Sequence, residues 1–132
     1  MQMEAQTNTI TPTPAKHSLI PSDRVEGTPV CRSNGERVGS IQRVMIDKVS
    51  GNVAYAVLSF GGFLGLGQKH LPIPWTRLKY DIPLGAYQLD LTDEELKKAP
   101  AYEADKEFDW GDRSNEIVIH SYYGARPYWG AF

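Results

Sequence analysis

Cysteine is nearly missing from this chain. Cys31 is the only one in 132 residues, so no intrachain disulfide can form and a reducing, cytoplasmic setting is expected. An excess of positive charge is missing too. The 14 Lys and Arg are outnumbered by 16 Asp and Glu, and the net charge of −2 removes the broad basic footprint of a nucleic-acid binder. No apolar run approaches the roughly 20 residues of a membrane-spanning helix, so no membrane insertion is expected. Met1 to Pro14 has neither Lys nor Arg and no apolar stretch, so it does not read as a signal peptide. His17, His70 and His120 are scattered, without HxH, HxxxH or HExxH spacing, and no metal or other cofactor is expected.

What remains is a globular composition, 41% apolar and 11% aromatic, in a length suited to one domain. Residues 1–18 are polar and broken by Pro12 and Pro14, which predicts a flexible arm. Beyond them, β-branched and aromatic runs alternate with turn residues. Strands are expected near Val25–Val30, Arg37–Asp47, Val53–Phe60, Lys69–Ile73, Arg77–Asp81 and Tyr87–Leu91. Turns fall at Ser33-Asn34-Gly35, Ser50-Gly51-Asn52 and Ile82-Pro83-Leu84-Gly85. The apolar spacing changes from three (Val38, Ile41) to two (Val44, Ile46), which predicts a bulge near Gly39-Ser40. Val53–Phe60 is apolar on both faces, so both should be covered.

Thr92-Asp93-Glu94-Glu95 is a capping box opening a short helix that stops at Pro100, with acids first and Lys97 and Lys98 last. Its charges read as a solvated face. Glu116–Tyr122 is a further strand candidate, because Ile117-Val118-Ile119 is a β-branched apolar run. Tyr122, Tyr123, Tyr128, Trp129 and Phe132 then crowd the C-terminus, and that much apolar surface should dock on something.

Chemical motifs are weak. The glycine-rich Gly61–Gly67 segment, with Lys69 behind it, superficially resembles a phosphate cradle but lacks a Gly-Lys-Ser/Thr opening a helix. Its Phe63, Leu64 and Leu66 are better candidates for a surface contact. Cys31 ends an apolar strand and reads as a small buried residue rather than a nucleophile. The acidic connector Glu103, Asp105, Glu107, Asp109, Asp112 has no EF-hand pattern and reads as solvated. No catalytic residue is proposed.

One resemblance is specific in the order and spacing of its glycines, prolines and tryptophan. Val25-Glu26-Gly27-Thr28-Pro29-Val30, Gly35-Glu36-Arg37-Val38-Gly39, Ile46-Asp47 and Ser50-Gly51-Asn52-Val53-Ala54-Tyr55 together resemble a PRC-barrel domain. The Gly61–Gly67 loop and Leu71-Pro72-Ile73-Pro74-Trp75 complete the pattern, which covers about Leu19 to Pro100. The ending from Tyr122 to Trp129 is similar to the tail of the small stand-alone bacterial subgroup. Other members are the cytoplasmic domain of the photosynthetic reaction centre H subunit and the C-terminal domain of the ribosome maturation factor. The first has a membrane helix, and the second a preceding domain, that this chain does not show.

The resemblance implies an all-β fold, a small barrel used as an interaction module, with no catalytic residues shared across the family. The expected organisation is an arm over 1–18, a barrel over 19–100 with one short helix, and an aromatic extension over 101–132 docking on the barrel or on a partner subunit. The expected function is a non-enzymatic protein–protein adaptor, a homodimer, with Phe63, Leu64, Leu66, Tyr122, Tyr123, Tyr128 and Trp129 as candidate contact residues. A small-ligand or metal-ion sensor is the alternative, and a ribosome-assembly accessory a weaker one by analogy.

Overall fold

The β-branched and aromatic runs form seven strands in one sheet. The structure, a computed structural model, describes residues 18–61, 68–103 and 105–130. The expected arm over 1–17 and the contact candidates Phe63, Leu64 and Leu66 lie outside the described residues. In chain order the elements are α1 (Ser22–Val25), β1 (Pro29–Cys31), β2 (Arg37–Ile46), β3 (Val53–Gly61), β4 (Gln68–Pro74), a 3-10 turn (Trp75–Arg77), β5 (Lys79–Asp81), β6 (Ala86–Gln88), α2 (Asp93–Lys98), β7 (Tyr102–Glu103) and α3 (Arg113–Tyr123).

The strand order is β5-β6-β1-β2-β3-β4-β7. β1–β2, β2–β3, β3–β4, β4–β7 and β5–β6 are antiparallel, while β1 and β6 run parallel. Among the described residues no pairing joins β5 to β7, so the sheet has two edges and is not a closed barrel. The protein is mostly β-sheet with few helices.

Two readings of the sequence need correction, and a third gains detail. The expected strand Val25–Val30 begins only at Pro29. Ser22–Val25 is instead a helical turn, and Gly27, at φ 85°, reverses the chain before β1. The bulge expected near Gly39-Ser40 falls at the adjoining Val38, where the β1–β2 register slips between Val30 (opposite Gly39) and Cys31 (opposite Arg37), and the β2–β3 register slips at two further points, between Ile41 and Arg43 and between Met45 and Ile46. The largest change is Glu116–Tyr122, which is not a strand but the body of α3. Asp112 caps that helix by accepting from the Ser114 N–H, and Gly124 ends it in the left-handed conformation at φ 62°. The buried positions Glu116, Ile119, His120 and Tyr123 recur at helical spacing, and this overrides the β preference of Ile117 and Val118. The single expected helix is therefore joined by α1 and α3.

α2 forms on its capping box. Thr92 Oγ1 accepts from Glu95 N–H at 3.1 Å, and Glu95 Oε1 accepts from Thr92 N–H at 2.9 Å. Arg32, just after β1, donates to the Leu91 carbonyl at 2.7 Å and pairs with Glu36 and Asp93, tying the sheet to the start of α2.

The core is built on β3. Ala54 to Leu58 are all buried, with Ile41, Leu71, Ile73, Tyr87, Leu96 and Ile119 packed around them. Both faces of β3 are covered, and over Tyr55 the cover comes from the C-terminal segment.

Candidate functional site

Tyr55 points from β3 into a polar cluster supplied by α3 and the tail. Its hydroxyl donates to Glu116 Oε1 at 2.9 Å and stands 2.7 Å from His120 Nε2. Tyr128 donates to the same Glu116 oxygen at 2.7 Å. His120 Nδ1 lies 3.1 Å from the Ala125 carbonyl, which can only accept, so Nδ1 carries the proton, and the single Tyr55 hydroxyl hydrogen is shared between Glu116 Oε1 and His120 Nε2. The i, i+4 spacing of Glu116 and His120 places both on the inner face of α3. Glu116 is 3% exposed, and Arg113 lies 3.8 Å from its other oxygen.

Aromatic rings surround these groups. Trp110 and Tyr128 flank the Tyr55 ring at 5.4 and 5.7 Å between centroids, the second edge-on. The Arg113 guanidinium sits 3.9 Å over Trp129, which meets the His120 ring edge-on at 5.3 Å. Beside the cluster is a cleft of about 240 Å³, walled by Met45, Ala54, Tyr55, Trp110, Glu116 and Tyr128.

The surroundings decide what chemistry is available. Burial, and then the Glu116 carboxylate, push the Tyr55 phenol well above its ordinary range, and the same causes push Tyr128 up to about 12. Neither offers a phenolate nucleophile near neutral pH. Burial lowers the pKa of His120, opposed by the Ala125 carbonyl and by Glu116, and His120 does not line the cleft. The arrangement holds the tail on the sheet, with the cleft opening beside it.

The residues singled out from the sequence are dispersed. Tyr128 and Trp129 belong to the cluster. Tyr123 is buried with its hydroxyl unpartnered among the described residues, and burial pushes that phenol up. Tyr122 is on the outer side of α3, donating to the Glu95 carbonyl at 2.6 Å and packing edge-on against Tyr123. Sequence reasoning passed over Tyr55, Trp110, Arg113 and Glu116 as site residues. Reading 116, 119, 120 and 123 at helical spacing would have found the carboxylate and the imidazole on one face.

In the acidic connector, Asp109 and Asp112 accept backbone N–H groups of Gly111 and Ser114. Among the described residues no three His, Cys, Asp or Glu side chains are gathered as cation ligands, and no helix is long and apolar enough to cross a membrane.

A protein-family model, the PRC-barrel domain, matches residues 18–96. The chain belongs to the PRC-barrel family. No curated protein matches it. The matched segment carries β1 to β6, and of the polar cluster it includes only Tyr55. Glu116, His120 and Tyr128 come from beyond it, so the cluster joins the PRC-barrel segment to an extension of its own.

Proposed function

We propose that this PRC-barrel protein is a non-enzymatic, cytoplasmic protein–protein interaction module that works as a homodimer. The observation that carries the reading is the outer face of α3. Ile117 and Val118 are 51% and 56% exposed there, and Tyr122 is next to them, although the opposite face of the same helix is fully packed. A helix that already buries one face and still presents large apolar side chains on the other is suited to a protein contact. Phe63, Leu64 and Leu66, outside the described residues, are proposed from the sequence alone as further contact residues.

The test compares affinity capture from the native host by the unaltered chain and by Ile117→Ser/Val118→Ser, with thermal melts of both. A partner held by the first and lost from the second, at an unchanged melting temperature, supports the reading. Equal capture by both removes the α3 face from it.

Small-ligand sensing is the second reading, favoured by the cleft between Tyr55, Trp110 and Tyr128. It requires a small molecule that raises the melting temperature of the unaltered protein and not that of Trp110→Ala.

A further inference from the structure

β5 forms one edge of the sheet, and the backbone groups on that edge can be assigned. Leu89 N–H donates to the Cys31 carbonyl at 2.9 Å, so Leu89, and with it Tyr87 two residues earlier, turns its backbone groups toward β1. Ala86 and Gln88 therefore face β5, where their partners are Asp81 and Lys79. The Gly85 N–H bond to the Asp81 carbonyl at 2.8 Å agrees, since it places that carbonyl on the hairpin side. The N–H and C=O of Tyr80, between them, project from the free edge, and among the described residues no strand pairs with them.

An open edge is ordinarily guarded, and a lysine is one of the usual guards. Here the guard is matched by its opposite two residues away. In the run Lys79-Tyr80-Asp81, antiparallel pairing of the strand with a copy of itself about Tyr80 sets each Lys79 against Asp81 of the second copy. The two Tyr80 residues would exchange both N–H···O=C bonds across the two-fold axis.

The neighbouring residues fit the same partner. Leu78 is extended at φ −101°, ψ 143°, and leads into β5 on the side of the strand shared with Tyr80. Tyr80 is 43% exposed, and Ile82 and Leu84 in the adjoining hairpin are 57% and 50% exposed. A groove of about 350 Å³ follows this edge, lined by Lys79, Tyr80, Asp81, Ile82, Pro83 and Gln88.

We infer that β5 is the contact between subunits of the homodimer, joining two sheets edge to edge. The inference rests on the homodimer reading above and adds where the copies meet. A three-residue edge buries little area, so the exposed hairpin residues must contribute, and an affinity on the order of micromolar is expected.

Charge reversal tests this directly. In a dimer of Lys79→Glu, carboxylates face each other across the axis at both cross-strand pairs; in a dimer of Asp81→Lys, ammonium groups do. Each variant alone should dimerise at least about tenfold more weakly. An equimolar mixture of the two restores both opposite-charge pairs and should recover the dimer, which also shows that both variants are folded. Amide exchange of Tyr80 in the unaltered chain is a second measurement and should slow as concentration rises. A chain that sediments as a monomer at high micromolar concentration overturns the homodimer reading itself. A dimer that neither variant weakens, with Tyr80 exchange independent of concentration, keeps the homodimer and overturns the β5 contact.

Discussion

Gly39 on β2 lies so close to Ser59 on β3 that a Cβ at position 39 would collide with the Ser59 carbonyl oxygen and lie 2.9 Å from Leu58 Cδ1. A glycine is required here by proximity and not by backbone angle. The Ser59 oxygen belongs to the backbone and Leu58 is buried, so the strands must shift to admit a methyl group. Gly39→Ala should destabilise the fold by about 1–3 kcal/mol, read as a lower urea midpoint with an unchanged slope. An unchanged midpoint would show that the β2–β3 spacing is looser than described.

Glu116 accepts from both Tyr55 and Tyr128 in a buried setting. Glu116→Ala leaves the Tyr128 hydroxyl without its acceptor and Tyr55 with His120 alone, and should cost roughly 2–3 kcal/mol. Glu116→Gln keeps an acceptor oxygen and should cost less. Equal losses in the two variants, measured by denaturant unfolding, would show that packing and not hydrogen bonding sets the value of this position.

The pH dependence of stability follows from the buried side chains. Burial lowers the pKa of both His70 and His120, with Arg43 also lowering that of His70, so the folded state favours the neutral rings. The stability they contribute is present above the ordinary histidine pKa of about 6.5 and is lost as the pH falls through the lower folded values. The phenols act in the opposite direction. Tyr55, Tyr123 and Tyr128 are raised by burial, so their contribution is present below about 10 and is lost as the pH climbs above it. The melting temperature should therefore fall below about pH 6.5 and above about pH 10, and His120→Gln should flatten the acid side. A melting temperature that rises as the pH is lowered from neutral into the acid range would reverse the assignment.

Removing the tail after Gly124 takes away Tyr128 and Trp129, uncovering Tyr55 and leaving Arg113 without the ring it covers. Loss of two such aromatic contacts should lower stability by about 3–5 kcal/mol. A truncated chain that melts with the full one would mean that the tail contributes nothing by resting on the sheet.

The legible parts of the fold were those in which local and global preferences agree. Val53–Phe60 is rich in β-branched and aromatic residues and also pairs on both sides within the sheet, and Thr92 with Glu95 both begins a helix and finds one. At Ile117-Val118-Ile119 the two preferences conflict. Side-chain shape favours a strand, but Asp112, Gly124 and the buried spacing of Glu116, Ile119, His120 and Tyr123 impose a helix. The polar cluster was hidden by that same conflict. Read as a strand, the segment spreads Glu116 and His120 along an extended chain, too far apart to meet at one tyrosine hydroxyl. The edge of the sheet was hidden for another reason, since strand order depends on pairing between distant segments such as β1 and β6.

Tyr55 is 1% exposed, and three of the rings that hide it, Trp110, His120 and Tyr128, come from beyond residue 96. The end of the family match is therefore not a seam in the protein. A cut made there would pass through packed interior, leaving a phenol on an inner strand facing water with its hydrogen-bond partners gone.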